Sequence, residues 1–182
     1  MELTPIYITS QVLTIAMYAT LAISYYLKDR TKILLINFLG CVLIGSAYLL
    51  LSAYTGAVMA LIAIIRNIIF LIDEKKNGKS EKITKKDTVI LVIILLLITI
   101  ATIPTYNGFL SLLSVFATSL YSISIWQKKT IIYKILGIPI CLLWLAYNLY
   151  VLSLFGIILE SIILLFALSG FILEKKRSKS IT

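Results

Sequence analysis

Residues 54–67 read YTGAVMALIAIIRN, a small polar turn that runs directly into an apolar helix carrying an arginine. Arg66 falls ten residues past Gly56, roughly 15 Å along a helix axis and so about halfway through a ~30 Å hydrocarbon layer. A turn at one face and a charge at the midplane make this a helix that crosses a bilayer. The remaining segments follow from asking which side it starts on and what answers its charge.

The composition agrees. The 182 residues are 60% hydrophobic, and a mean hydropathy of +1.04 excludes a soluble domain of this size. Runs such as 88–103 and 152–173 are long enough to span. Met1-Glu2-Leu3 has no basic region, so the first apolar segment reads as a retained span and not a cleaved signal.

Sixteen of the seventeen Lys and Arg fall in four clusters, at 28–32, 75–86, 128–134 and 175–179; the seventeenth is Arg66. The connections between them, at 52–57, 105–108 and 151–153, carry no basic residue. This alternation follows the positive-inside rule and accounts for the net charge of +9 without nucleic acid. It predicts a multi-pass membrane protein with its N-terminus outside and its C-terminus cytoplasmic, hence an odd number of spans.

Seven spans fit, at about 6–27, 33–52, 57–72, 88–103, 109–126, 131–150 and 155–173. Residues 73–87, with six lysines and four acids, read as one long polar loop explained by anionic headgroups. Tyr25, Tyr26, Trp126 and Tyr133 are expected at the inner interface, and Tyr54, Tyr106 and Tyr150 at the outer one. Asn107-Gly108 marks the second outer turn. Pro139 removes one backbone hydrogen bond from the sixth span, a candidate kink.

Sliding the chain by 100 residues aligns the first three spans with the last three. Cys41 meets Cys141, Gly56 meets Gly156, and Glu74-Lys75-Lys76 meets Glu174-Lys175-Lys176. A single linker helix between two such units gives them the same orientation, and a path between the halves is where a solute site would form. The expected layout is all-α: a first three-helix bundle (1–73), a basic loop and linker helix (74–104), a second bundle (105–174) and a basic tail (175–182).

With no histidine in the chain, haem ligation, most zinc sites and imidazole relays are excluded. Cys41 and Cys141 have no metal spacing and read as packing residues. No cofactor is expected, and no nucleophile–base pair or phosphate loop suggests an enzyme. The polar groups inside the spans are the site candidates: Arg66, Asn67, Trp144, Asn148 and Glu160. A central arginine costs on the order of 3 kcal/mol to insert, so it either locks helices as an ion pair or lines a cavity for a polar or anionic solute. Glu160, the sole acid within a span, is its natural partner, though offset by about 9 Å along the axis. Arg66 and Asn67 differ by about 100° round the helix, so at most one should face the centre. Trp144 reads equally as interfacial packing or as a stacking platform.

Gly56-Ala57, Ile65-Arg66-Asn67, Trp144-Leu145-Ala146-Tyr147-Asn148 and Gly156-Ile157-Ile158-Leu159-Glu160 together resemble the bacterial YgjV-type inner-membrane family over nearly the whole chain. That family is similar to the SWEET sugar facilitators and PQ-loop proteins, a resemblance that implies two three-helix bundles joined by a linker helix (3+1+3). The chain departs from them: it has no Pro-Gln dipeptide, and Asn67 is matched by Ala167. The leading expectation is a small-solute facilitator or carrier with its site between the bundles, a vitamin-precursor carrier being its nearest rival. The alternative is a non-transporting accessory, sensor or immunity protein whose intramembrane charges are structural.

Overall fold

The computed structural model describes residues 4–52, 54–77, 82–105, 112–150 and 154–179. Its elements are α1 (Pro5–Tyr26), α2 (Arg30–Leu50), α3 (Tyr54–Asn77), α4 (Lys85–Thr102), a 3-10 turn (Ile103–Thr105), α5 (Leu112–Trp126), α6 (Thr130–Tyr150) and α7 (Leu154–Lys179). Among the described residues there is no strand. The expected turns at 106–108 and 151–153, Tyr106, and the middle of the basic loop at 78–81 lie outside them.

Start signals in the sequence place several of these helices. Thr4 caps α1 by accepting from the Tyr7 N–H, with Pro5 at the first position, where its missing N–H is harmless. Asp29 caps α2 through the Thr31 N–H at 2.9 Å. Thr84 and Asp87 form a reciprocal capping box at the start of α4. α6 runs unbroken through Pro139.

Among the described residues, four helices, Pro5–Tyr26, Arg30–Leu50, Thr130–Leu149 and Gly156–Arg177, are long and apolar enough to cross a bilayer by length and composition. Charge dilutes α3, which carries Arg66 and ends in Asp73-Glu74-Lys75-Lys76, and α4, which opens with Lys85-Lys86-Asp87, while α5 is apolar but shorter, at 15 residues. Exposed apolar side chains such as Val92, Leu96, Ile100 and Leu165 need lipid to cover them. This is a multi-pass helical membrane protein.

Each helix packs on the next in sequence, and α7 closes back onto α1. Helix ends repeat at the 100-residue offset: α1 and α5 end at Tyr26 and Trp126, α2 and α6 span 30–50 and 130–150, and α3 and α7 begin at Tyr54 and Leu154. Where α1 meets α6 and α7, two glycines admit Tyr25. A Cβ on Gly137 would meet the Tyr25 ring at 2.5 Å, and one on Gly170 would meet the Tyr25 carbonyl oxygen at 2.5 Å. Tyr25 is thus 1% exposed and stacks on Tyr133, itself 3% exposed, at 5.5 Å between centroids. Those two tyrosines are core residues and not part of the interfacial belt expected of them; the glycines opposite made the room.

The polar stretch 73–87 also departs from expectation. Residues 73–77 complete α3, and 85–87 open α4. Asp73, Glu74 and Asp87 are buried, because each finds a cation inside the protein.

Candidate functional site

The helices surround a partly open cavity of about 560 Å³. Six pairs of its lining residues are related by the repeat: Tyr18 and Thr118, Leu21 and Tyr121, Gly40 and Ile140, Cys41 and Cys141, Ile44 and Trp144, Ala60 and Glu160. The cavity therefore lies between the two halves, with α4 adding Ala101 and Thr102. Repetition supplies the shape, and divergence within each pair supplies the chemistry. Glu160, which the 100-residue offset pairs with Ala60, is the one residue with a formal charge among the described lining residues.

Towards the end that carries the basic clusters, a hydrogen-bonded aromatic floor closes this space. The Tyr133 hydroxyl lies 2.7 Å from Ser24 Oγ and accepts from Asn37 Nδ2 at 3.3 Å. Tyr25 stacks on its ring and Tyr121 meets its edge. Ser24 is 0% and Asn37 4% exposed, so hydrogen bonding is what makes their burial tolerable.

Below the floor lies a layer of buried charge. Lys128, between α5 and α6, sits 3.2 Å from Asp73 of α3 and 3.1 Å from Asp87 of α4. Arg30 of α2 lies 3.1 Å from Glu74 and donates through Nη2 to the Ile125 carbonyl of α5. Within the second half, Lys134 and Thr130 hold Glu174. Thr130 and Glu174 stand where Arg30 and Glu74 stand in the first half, so the repeat is preserved as a paired contact. Burial pushes the Glu74 carboxyl above the usual carboxylate range against the pull of Arg30 and Lys128. Burial acts likewise on Asp87, but the Thr84 N–H and Lys128 outweigh it and hold that group below the usual range.

The structure divides the five sequence candidates. Trp144 and Glu160 line the cavity; Arg66, Asn67 and Asn148 do not. Arg66 is 1% exposed. Its Nη1 donates to Ser122 Oγ at 2.8 Å, its Nη2 reaches Asn67 Oδ1 at 3.5 Å, and its guanidinium lies 5.1 Å from the Tyr121 ring centre. Asn67, 0% exposed, donates to Cys41 Sγ at 3.4 Å. Both are buried, contrary to the expectation that at most one faces inward. Asn148 donates to the Trp144 carbonyl one turn back. Arg66 and Glu160 make no ion pair: Glu160 Oε1 accepts from the Tyr18 hydroxyl at 2.9 Å instead. Sequence reasoning did not single out Tyr18, Asn37 or Lys128. For Lys128 a signal existed, since it repeats Lys28 at the 100-residue offset.

The comparisons bear on this assembly as a whole. The Imp-YgjV family, described as bacterial inner membrane protein, matches residues 8–177. The chain belongs to that family. The match runs from α1 into the last turn of α7, so the cavity, its floor and the charged layer all lie within the family's extent. No curated protein and no solved structure matches the chain. Among the described residues, no three Cys, Asp or Glu side chains converge as a metal site.

Proposed function

We propose that this inner membrane protein is a facilitator or carrier for a small solute, bound in the cavity between its halves. Its seven helices all cross the membrane as two units of three, α1–α3 and α5–α7, joined by α4. The end bearing the basic clusters faces the cytoplasm and the N-terminus lies outside. The observation that carries the reading is the pairing of cavity residues across the repeat, because rocking of two like halves about a shared site is how such carriers alternate access. The Lys128 contact to Asp73 and the Arg30 contact to the Ile125 carbonyl tie the halves together at the end bearing the basic clusters, as a closed inner gate would.

Thiol accessibility tests this directly. In a Cys141→Ser chain the one remaining thiol, Cys41, lies on the cavity wall. A charged, membrane-impermeant thiol reagent added from outside is expected to label it, and the same reagent from the cytoplasmic side to label it only after Lys128→Met loosens the gate. If Cys41 reacts from neither side, yet reacts fully once the chain is unfolded, the space is a dry packing gap and the carrier reading fails.

A further inference from the structure

The chemistry of the cavity wall narrows the solute class, on the premise that the cavity is a carrier's binding site. We infer that it takes a small organic cation. Its charge would meet the free oxygen of Glu160, and its body would meet the aromatic wall.

Three observations carry this. First, Glu160 is the one formally charged residue among the described residues of the wall. Tyr18 occupies its Oε1, and Oε2 has no partner among the described residues. A carboxylate with an open oxygen in a low-dielectric cavity favours a cation and repels an anion. Second, the positive group nearest in kind, Arg66, is withdrawn from the cavity at 1% exposure, with Ser122 and the Tyr121 ring taking its guanidinium. An anionic solute would find no cation to touch. Third, Tyr18, Tyr48, Trp144 and Tyr147 line the same space, and Trp144 meets Tyr147 edge-to-face at 5.8 Å. Aromatic faces beside a carboxylate are the surface that suits quaternary or protonated amines. A volume of about 560 Å³ fits a small organic molecule, being inside the roughly 300–1,000 Å³ of such sites.

The test uses the full chain purified in detergent, with binding read by tryptophan fluorescence and by thermal shift. The probes are choline and benzyltrimethylammonium, the neutral carbon isosteres in which tert-butyl replaces trimethylammonium, and a tert-butyl carboxylate of similar size. Wild type is expected to bind at least one cation more tightly than its neutral isostere and to leave the carboxylate unbound. That comparison needs no variant. Glu160→Gln should then weaken the cation by about tenfold to a hundredfold, the worth of one contact to a charged group, and leave the neutral isostere unchanged. Tighter binding of a neutral isostere or of the carboxylate overturns the cation assignment and leaves the carrier reading standing. Binding of no probe at all overturns the assignment, and together with an unreactive Cys41 it removes the carrier reading as well.

Discussion

Lys128 places one ammonium between two buried carboxylates, so replacing it with methionine gives the sharpest test of the charged layer. Breaking a buried ion pair by removing one partner costs about 3–5 kcal/mol. The loss here should be smaller, because Asp87 keeps the Thr84 N–H at 2.8 Å. A value of about 2–3 kcal/mol is expected, which at roughly 2–4 °C per kcal/mol for a chain of this size lowers the melting temperature by about 4–12 °C. The pH dependence separates this cause from simple loss of packing. In wild type, Asp87 is held below the usual carboxylate range, so its contribution is fully present above that range and is lost only as pH falls through it. Between about pH 7.5 and about pH 5 it should not change. In Lys128→Met, Asp87 loses the cation that helps hold it down and faces the Asp73 carboxylate directly, so it rises towards this window. Glu74, already raised by burial, also loses the pull of Lys128 and moves the same way. Acidification therefore relieves the variant more than wild type. Melting followed by intrinsic fluorescence should show the deficit shrinking at about pH 5. A deficit that stays constant or widens on acidification refutes the electrostatic account, as does a variant that melts like wild type at both values.

Three further outcomes follow from the geometry. Arg66→Met and Glu160→Gln should be additive in melting experiments to within about 0.5 kcal/mol, because each residue has its own partner; a larger coupling would show that the two charges act as a pair. Gly170→Ala should destabilise by about 1–3 kcal/mol, since the new Cβ meets the Tyr25 backbone, whereas Gly40→Ala, blocked at 2.7 Å by Thr20 Oγ1, should be rescued by Thr20→Ala in a thermal-shift comparison. A phosphatase fused after Thr182 should be inactive and a fluorescent protein there bright, as a cytoplasmic tail requires; active phosphatase would reverse the proposed orientation.

The helices were legible because lipid demands uniform apolar runs and because loop charge labels each end. Lys28 and Lys128 do fall between helices, whereas Arg30 opens α2 and Lys75 lies inside α3. Composition, however, treats a charge at a helix end as solvated. Residues 73–87 read as one long polar loop beside anionic headgroups, yet Asp73, Glu74 and Asp87 are buried against Arg30 and Lys128, contacts between residues 41 to 55 positions apart. The Thr84-Lys85-Lys86-Asp87 capping pattern was the local clue that a helix began there.

The interior charges were harder to read, for a geometric reason. Sequence gives a residue's depth in the membrane but not the number of neighbours its helix has. The argument that Arg66 and Asn67 cannot both turn inward assumes one buried face. In a closed ring, α3 has α2 on one flank, where Asn67 reaches Cys41, and the long Arg66 side chain extends the other way to Ser122 on α5. Two directions about 100° apart are then both interior. The same geometry removes Arg66 from the cavity and leaves Glu160 as its charged wall. A sequence reading centred on the arginine points to an anion, whereas the packing that buries the arginine points to a cation.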